Sequence, residues 1–367
     1  MPTTTDPAMT APTQESYTID GGEPGKRRLD LLAEIFRPTT LRLLADAGLR
    51  SGDRCLDLGC GGGHVALDMA RIVGPGGSVT GTDFDPRIVE LARQDAQHAC
   101  VGNVEYDVAD ARVFDGGPFD LIYARFLLSH LGEPEEVLTH VRQLARPGGR
   151  IVLEDIDMSG SYCYPHDPAH ARYMELYTEA VRRNGGDADL GRRLPSIARA
   201  AGLRDIHCNV FQPAYTGGRP KQLPVVTMDK IRPAVLRYGL ATDREIDSIV
   251  YRMGAFVQDP TTLVTMPRIV QVWGTAYRSV TPCAVGVCHS RRPGMRDLLC
   301  PRQEEVAMGG FMENAKEFAD QHDEQVDQGL EKAGDLADER TGGQHREQLD
   351  RGVDAAQEHT GQGDTQP

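Results

Sequence analysis

A chain of 367 residues that is 40% hydrophobic and 26% charged has the length for two domains and enough apolar residues for a buried core. Its net charge of −14 argues against nucleic-acid affinity driven by phosphate contacts, and no apolar run is long enough to span a membrane. The charge is concentrated at one end: between Gly309 and Pro367 there are 5 Lys and Arg against 15 Asp and Glu, so the end of the chain is a different kind of sequence from the body.

Residues 1–16, rich in Thr, Pro and Ala, read as a disordered start. They lack the charged opening and apolar centre of a secretory signal, so a cytoplasmic protein is expected. The eight cysteines are scattered, and reduced thiols are expected. Leu29, Leu31, Leu32, Ile35 and Phe36 fall at helical spacing within residues 26–36, and a second helix is predicted from Pro38 through Leu44. Cys55, Leu56 and Leu58 form a short strand, followed by glycines at 59, 61, 62 and 63 and a helix over residues 65–73. Strands are predicted at 78–83, 104–108 and 118–124, with Asp85-Pro86 capping a helix over 87–99. Another helix runs from Glu133-Pro134 to Ala145; Arg146-Pro-Gly-Gly149 then turns into a strand over 150–155.

That strand ends in Glu154, Asp155 and Asp157, an acidic cluster that reads as a solvated or cation-binding rim. The loop over 159–167, with Tyr162, Tyr164 and His166, follows at the sheet's carboxyl edge, where ligands bind in open α/β folds. Helices over 169–183 and 193–201, a strand over 205–211, helices over 228–238 and 243–256 and a last strand over 268–275 complete the body. The alternation predicts an α/β fold: a Rossmann-like, doubly wound, mostly parallel sheet with a helical cap.

The stretch Cys55-Leu-Asp-Leu-Gly-Cys-Gly-Gly-Gly-His64 is strand, glycine turn and helix start in ten residues. Such a turn cradles a nucleoside ligand, because residues without a Cβ let backbone amides approach it closely. The dinucleotide fingerprint ends in a third small residue, and His64 stands there instead. The phosphate loop needs a Lys that is absent here. Asp57, just before the first glycine, would repel phosphates and suits a ligand with a cationic amine. These features point to S-adenosylmethionine, which carries an ammonium and a sulfonium and no phosphate, and a dehydrogenase is disfavoured.

Four motifs in order, D-L-G-C-G-G-G-H at 57–64, G-T-D-F-D-P at 81–86, V-A-D-A at 108–111 and R-P-G-G-R-I-V-L-E-D at 146–155, give the sequence a resemblance to the class I S-adenosylmethionine-dependent methyltransferases over about residues 17–278. The resemblance implies that Asp57, Gly59, Cys60 and Gly61 hold the methionine end of the cofactor. It implies that Asp83, with Phe84 beside it, takes the ribose hydroxyls, and that Asp110 and the Ala111 N–H take the adenine. Tyr17 would belong to a lid segment, and Arg125 and Phe126, after the fourth strand, would meet cofactor and substrate. His130 is the candidate general base, against a packing or capping role. An inserted cap would wall the pocket for a small-molecule methyl acceptor, bringing Met253 and Phe256.

The body is expected over 17–280 and a linker over 281–308. Cys283, Cys288, His289 and Cys300 in that linker fit a zinc site poorly, so no metal is expected. From residue 309 an acidic tail, helical or disordered, is expected, in which F-x-x-x-A-K-E-x-A, H-D-E-Q-V-D-Q, E-K-A-G-D and T-G-G resemble short antitoxin-like proteins over about 309–360. That likeness implies a protein partner for the tail. It also opens the alternative of a non-catalytic binding protein acting through it.

Overall fold

In the computed structural model, which describes residues 22–277, the predicted doubly wound sheet is present. The chain divides into two units, Met1–Cys283 and Ala284–Pro367, and every described residue belongs to the first. The acidic tail, the linker cysteines and Tyr17 lie outside the described residues.

Strands β1 (Arg54–Leu58), β2 (Ser78–Asp83), β3 (Val104–Val108), β4 (Phe119–Arg125) and β5 (Ala145–Asp157) pair in parallel. Two antiparallel strands, β7 (Leu203–Phe211) and β10 (Arg268–Ala276), complete a seven-stranded sheet in the order β3-β2-β1-β4-β5-β10-β7. From β1 the chain moves outward to β2 and β3, then returns to place β4 on the other side of β1. This reversal leaves a crevice at the carboxyl ends of β1 and β4, where open α/β sheets bind ligands.

Helices α2 (His64–Val73) and α3 (Pro86–His98) bury Val65, Met69, Val89 and Ala92 against Cys55 and Val79. Helices α4 (Pro134–Leu144) and α6 (Leu194–Ala200) bury Leu138, Val141 and Ile197 against Ile122 and Ile151. A third cluster fills the cap, where α5 (Pro168–Arg183), α7 (Leu223–Arg237) and α8 (Asp243–Gln258) pack with α1 (Gly22–Asp46) around Phe36, Tyr173, Tyr177, Ile231 and Met253. Each such fully buried side chain contributes about 1.5–3 kcal/mol of hydrophobic stabilisation.

Three local expectations are corrected. The two predicted helices before the first strand are one helix, α1, with Pro38 inside it. Proline lacks an N–H and crowds the preceding turn; here burial of Leu31, Leu32 and Phe36 before it and of Leu43 and Leu44 after it holds the helix together. The predicted turn at 146–149 is the irregular opening of β5, where Gly148 takes φ +79° and the register against β4 shifts between Phe119 and Leu121. The loop over 159–167 contains a short strand, β6 (Cys163–Tyr164). It joins β8 (Ala214–Tyr215) and β9 (Leu263–Thr265) in a small sheet that the sequence did not suggest. Pairs of two or three residues are too short to leave a period in the sequence.

Candidate functional site

The turn after β1 begins with Gly59 at φ +72°, continues through Gly61 at φ +52° and ends at Gly63, which caps α2 at φ +76°. Gly63 is fixed by space as well as by φ: a Cβ there would stand 2.6 Å from the Tyr106 hydroxyl and 2.9 Å from the Ala92 methyl. Tyr106 in turn donates to the Gly63 carbonyl at 3.1 Å, so β3 holds the turn from behind.

The turn opens on a cavity of about 700 Å³ at the carboxyl edge of the sheet. Asp57, Gly59, Cys60, Gly61, Asp83 and Phe84 all line it, as do Arg125, Phe126 and His130. The Asp83 carboxylate, at the end of β2, accepts from the Gly61 N–H at 2.9 Å and the Asp85 N–H at 3.0 Å. One acid thus ties the glycine turn to the next strand, and burial pushes its pKa up. Asp85 itself accepts from the Arg87 N–H at 2.8 Å and caps α3, as predicted.

Asp57 is buried, with 2% of its surface exposed. Its Oδ2 has no hydrogen-bond partner among the described residues. Burial raises its pKa to about 7, against the opposing pull of the Arg125 guanidinium. A buried carboxyl oxygen without a partner is costly, and here it lies where a cationic amine of a ligand would satisfy it.

Arg125 reaches the cavity on the last residue of β4 and donates to Thr40 Oγ1 at 3.2 Å. Thr40 donates to Glu154 Oε1 at 2.8 Å, and the Tyr123 hydroxyl donates to the same oxygen at 2.8 Å. Gln271 Nε2 donates to Glu154 Oε2 at 3.3 Å. Burial works against the charge on Arg125, and the neighbouring Glu154 and Asp57 carboxylates offset it. The acidic cluster at the end of β5 is therefore no solvated or cation-binding rim. Glu154, Asp155 and Asp157 are all buried, because helices cover both faces of this inner strand. Each is matched to a donor: Asp155 accepts from the Ser129 N–H at 3.0 Å, and Asp157 pairs with Arg268 at 2.8 Å.

His130 closes a short helical turn after β4, and burial together with Arg28 lowers its pKa to about 4. The imidazole is therefore neutral at pH 7. Asp110 and Ala111 do not line the cavity. The Asp110 carboxylate is engaged by Arg112 Nε at 3.0 and 3.1 Å, which lowers its pKa, and Ala111 is buried in the core. Met253 and Phe256 pack in the cap core and do not line the cavity, so for them core packing, the alternative to a pocket wall, holds. Tyr162 and Tyr164 are exposed. The cavity is also lined by residues the sequence did not mark as site candidates: Arg28 and Leu32 of α1, His170 and Tyr173 of α5, and Leu223 and Thr227 of α7. In the sequence these sit in amphipathic helices, where a cavity wall and a core face have the same spacing. Among the described residues no group of His, Cys, Asp and Glu side chains is arranged to hold a metal ion.

Residues 49–186 match the family model described as "Methyltransferase domain", and residues 312–360 match that of "MT0933-like antitoxin protein". A protein of transposon TN4556 from Streptomyces fradiae is 32% identical over 155 residues, covering 42% of this chain and 44% of that one. The demethylmenaquinone methyltransferase of Lactococcus lactis is 29% identical over 150 residues, covering 40% and 56%. The chain thus spans about half the length of the curated relatives it matches. A crystal structure of a SAM dependent methyltransferase from Aquifex aeolicus is similar at 22% identity and a TM-score of 0.40, covering 51% of this chain and 91% of that one. Both likenesses fall where the two sets of motifs lie, a methyltransferase domain over 49–186 and an antitoxin protein over 312–360.

Proposed function

We propose that the body of this protein transfers a methyl group from S-adenosylmethionine to an oxygen, nitrogen or carbon nucleophile of a small molecule. The observation that carries this reading is the pair of acids at the glycine turn. Asp57 offers an unmatched buried carboxyl oxygen, and Asp83 ends β2 beside the Gly61 N–H. A dinucleotide pyrophosphate would meet two carboxyl groups there; an ammonium and a ribose would be received by them. Asp57 with Gly59, Cys60 and Gly61 would hold the methionine end, and Asp83 with Phe84 the ribose. Asp110 and the Ala111 N–H are proposed for the adenine, which requires Asp110 to share an oxygen with Arg112. Tyr17 is proposed as part of a covering segment. When bound, the cofactor supplies an electrophilic methyl on a sulfonium, whose carbon–sulfur bond breaks as the acceptor's bond to carbon forms.

The protein's part is then to align acceptor and donor and to exclude water, which is worth about 7–11 kcal/mol of the barrier. Arg125 brings positive charge to the edge where cofactor and acceptor meet. His130 is the proposed acceptor of the substrate's proton, although a pKa near 4 makes it a weak base at pH 7. A cytoplasmic setting is part of the proposal. Cys55, Cys60, Cys100, Cys163 and Cys208 are all free thiols, and no described helix is long and apolar enough to cross a membrane.

The acids make a pH prediction. With its pKa raised to about 7, Asp57 is increasingly protonated as pH falls below 7, and only the carboxylate attracts an ammonium. Affinity for S-adenosylhomocysteine should therefore fall about tenfold between pH 8 and pH 6, with proton release on binding at the lower pH. Calorimetry in buffers of different ionisation enthalpy reads both effects. Asp57→Asn should bind weakly with a flat profile; a wild-type affinity that does not vary with pH would remove Asp57 from the site.

The antitoxin-like match at 312–360 supports a second activity, binding of a protein partner by the tail, with the linker and tail divided near residues 281 and 309. A chain ended at Cys283 should keep methyl transfer and lose that partner. Loss of cofactor binding on this truncation would instead make the tail part of the enzyme.

A further inference from the structure

Resting on the methyltransferase reading, we infer that the methyl acceptor is an organic anion: an apolar body carrying a carboxylate-type oxyanion, received by the guanidinium of Arg28 on the cap side of the cavity.

The lining of the cavity carries both signs of charge, Asp57, Asp83 and Asp85 with Arg28, Arg87, Arg125 and Arg237. Its carboxyl groups, Asp57, Asp83 and Asp85, follow β1 and β2, at the end assigned to the cofactor. The lining residues that come from α1, α5 and α7 include Arg28 and Arg237 and no carboxylate. Arg28 reaches from α1 to α7, where its Nε donates to Thr227 Oγ1 at 3.1 Å. It lies close enough to His130, Tyr173 and Tyr177 to bias their proton equilibria. Among the described residues no carboxylate forms an ion pair with it, whereas Arg125, one of three other arginines lining the cavity, is tied into the Thr40 and Glu154 network. A guanidinium has several N–H donors in a planar fork, and a single hydroxyl occupies only one of them.

The imidazoles do not compete for an anion. His130 and His170 both have pKa values lowered to about 4 by burial, so both are neutral at pH 7. Besides these polar neighbours, the cavity is lined by Leu32, Phe126, Met158, Leu223 and Met266. In such surroundings a charge-assisted pair is stronger than at the surface. A cationic acceptor would face Arg28 unpaired, and a neutral one would leave its donors unmet. An anionic group fixed on Arg28 turns the rest of the molecule toward the glycine turn.

The test uses the full chain saturated with S-adenosylhomocysteine, whose binding is measured first. A panel of aromatic and aliphatic monocarboxylates is then titrated beside their matched primary amides, starting with 4-hydroxybenzoate and 4-hydroxybenzamide. The inference expects at least one carboxylate to bind about tenfold or more tightly than its amide. It expects Arg28→Gln to abolish that preference, Arg28→Lys to keep part of it, and S-adenosylhomocysteine affinity to stay within about twofold in both. Should no carboxylate be preferred over its amide, or should Arg28→Gln keep the preference, the inference is wrong while the cofactor reading stands. Failure of the wild-type chain to bind S-adenosylhomocysteine removes the cofactor reading and this inference with it.

Discussion

Asp83→Ala is expected to weaken S-adenosylhomocysteine binding by about 100-fold or more while leaving the fold intact. A carboxylate receiving two ribose hydroxyls makes two charge-assisted hydrogen bonds, each worth about 1.5–3 kcal/mol, and each 1.4 kcal/mol is tenfold in affinity. The substitution also removes the acceptor that ties the Gly61 N–H to β2 at 2.9 Å, so the turn loses its anchor as well as its ligand contact. Asp83→Asn keeps an acceptor for that N–H and should recover part of the loss. Calorimetry measures the affinity and far-ultraviolet circular dichroism the fold. A dissociation constant near that of the wild type in Asp83→Ala would show that the ligand does not sit on β2.

The second large effect is on stability. Glu154 is 1% exposed and accepts hydrogen bonds from Thr40, Tyr123 and Gln271. Glu154→Ala would strand three buried donors from α1, β4 and β10 and leave Arg125 without its nearest counter-charge on β5. The expected loss is about 3–5 kcal/mol, the cost of breaking a buried charged network on one side. Glu154→Gln, which keeps the shape and two acceptor lone pairs, should lose less than half of that. Urea denaturation of the full chain measures both. A loss under about 1 kcal/mol in Glu154→Ala would mean that the network is ornamental to the fold.

These two residues also mark how far the sequence could be read. The place of Asp83 at the end of β2 was legible because it is local: a short strand, one acid at its end and Asp85-Pro86 immediately after it. The same holds for the glycine turn, where strand, φ angles and helix cap follow one another within ten residues. Glu154 was misread because its meaning is not local. On an inner strand both faces are buried, so the alternation that separates inside from outside is lost. The partners that make its burial tolerable come from Thr40, Tyr123 and Gln271, far apart in the chain.

Pro38 was misread for a related reason. A proline that costs a free helix about 3 kcal/mol is tolerated where α1 is buried on both sides of it. The part of the cavity wall contributed by the helices was the least legible. Arg28, Tyr173 and Thr227 come from three helices, and nothing in the spacing of each distinguishes a side chain that faces a cavity from one that faces a core. Met253 and Phe256, which the resemblance placed in an inserted cap, lie in the core.

The most direct test of the central claim is calorimetric titration of the full chain with S-adenosylmethionine and, separately, with NADH. Micromolar binding of S-adenosylmethionine with no heat from NADH is the predicted result. Binding of NADH, or no binding of S-adenosylmethionine at millimolar concentration, would contradict it and return the glycine turn to another ligand.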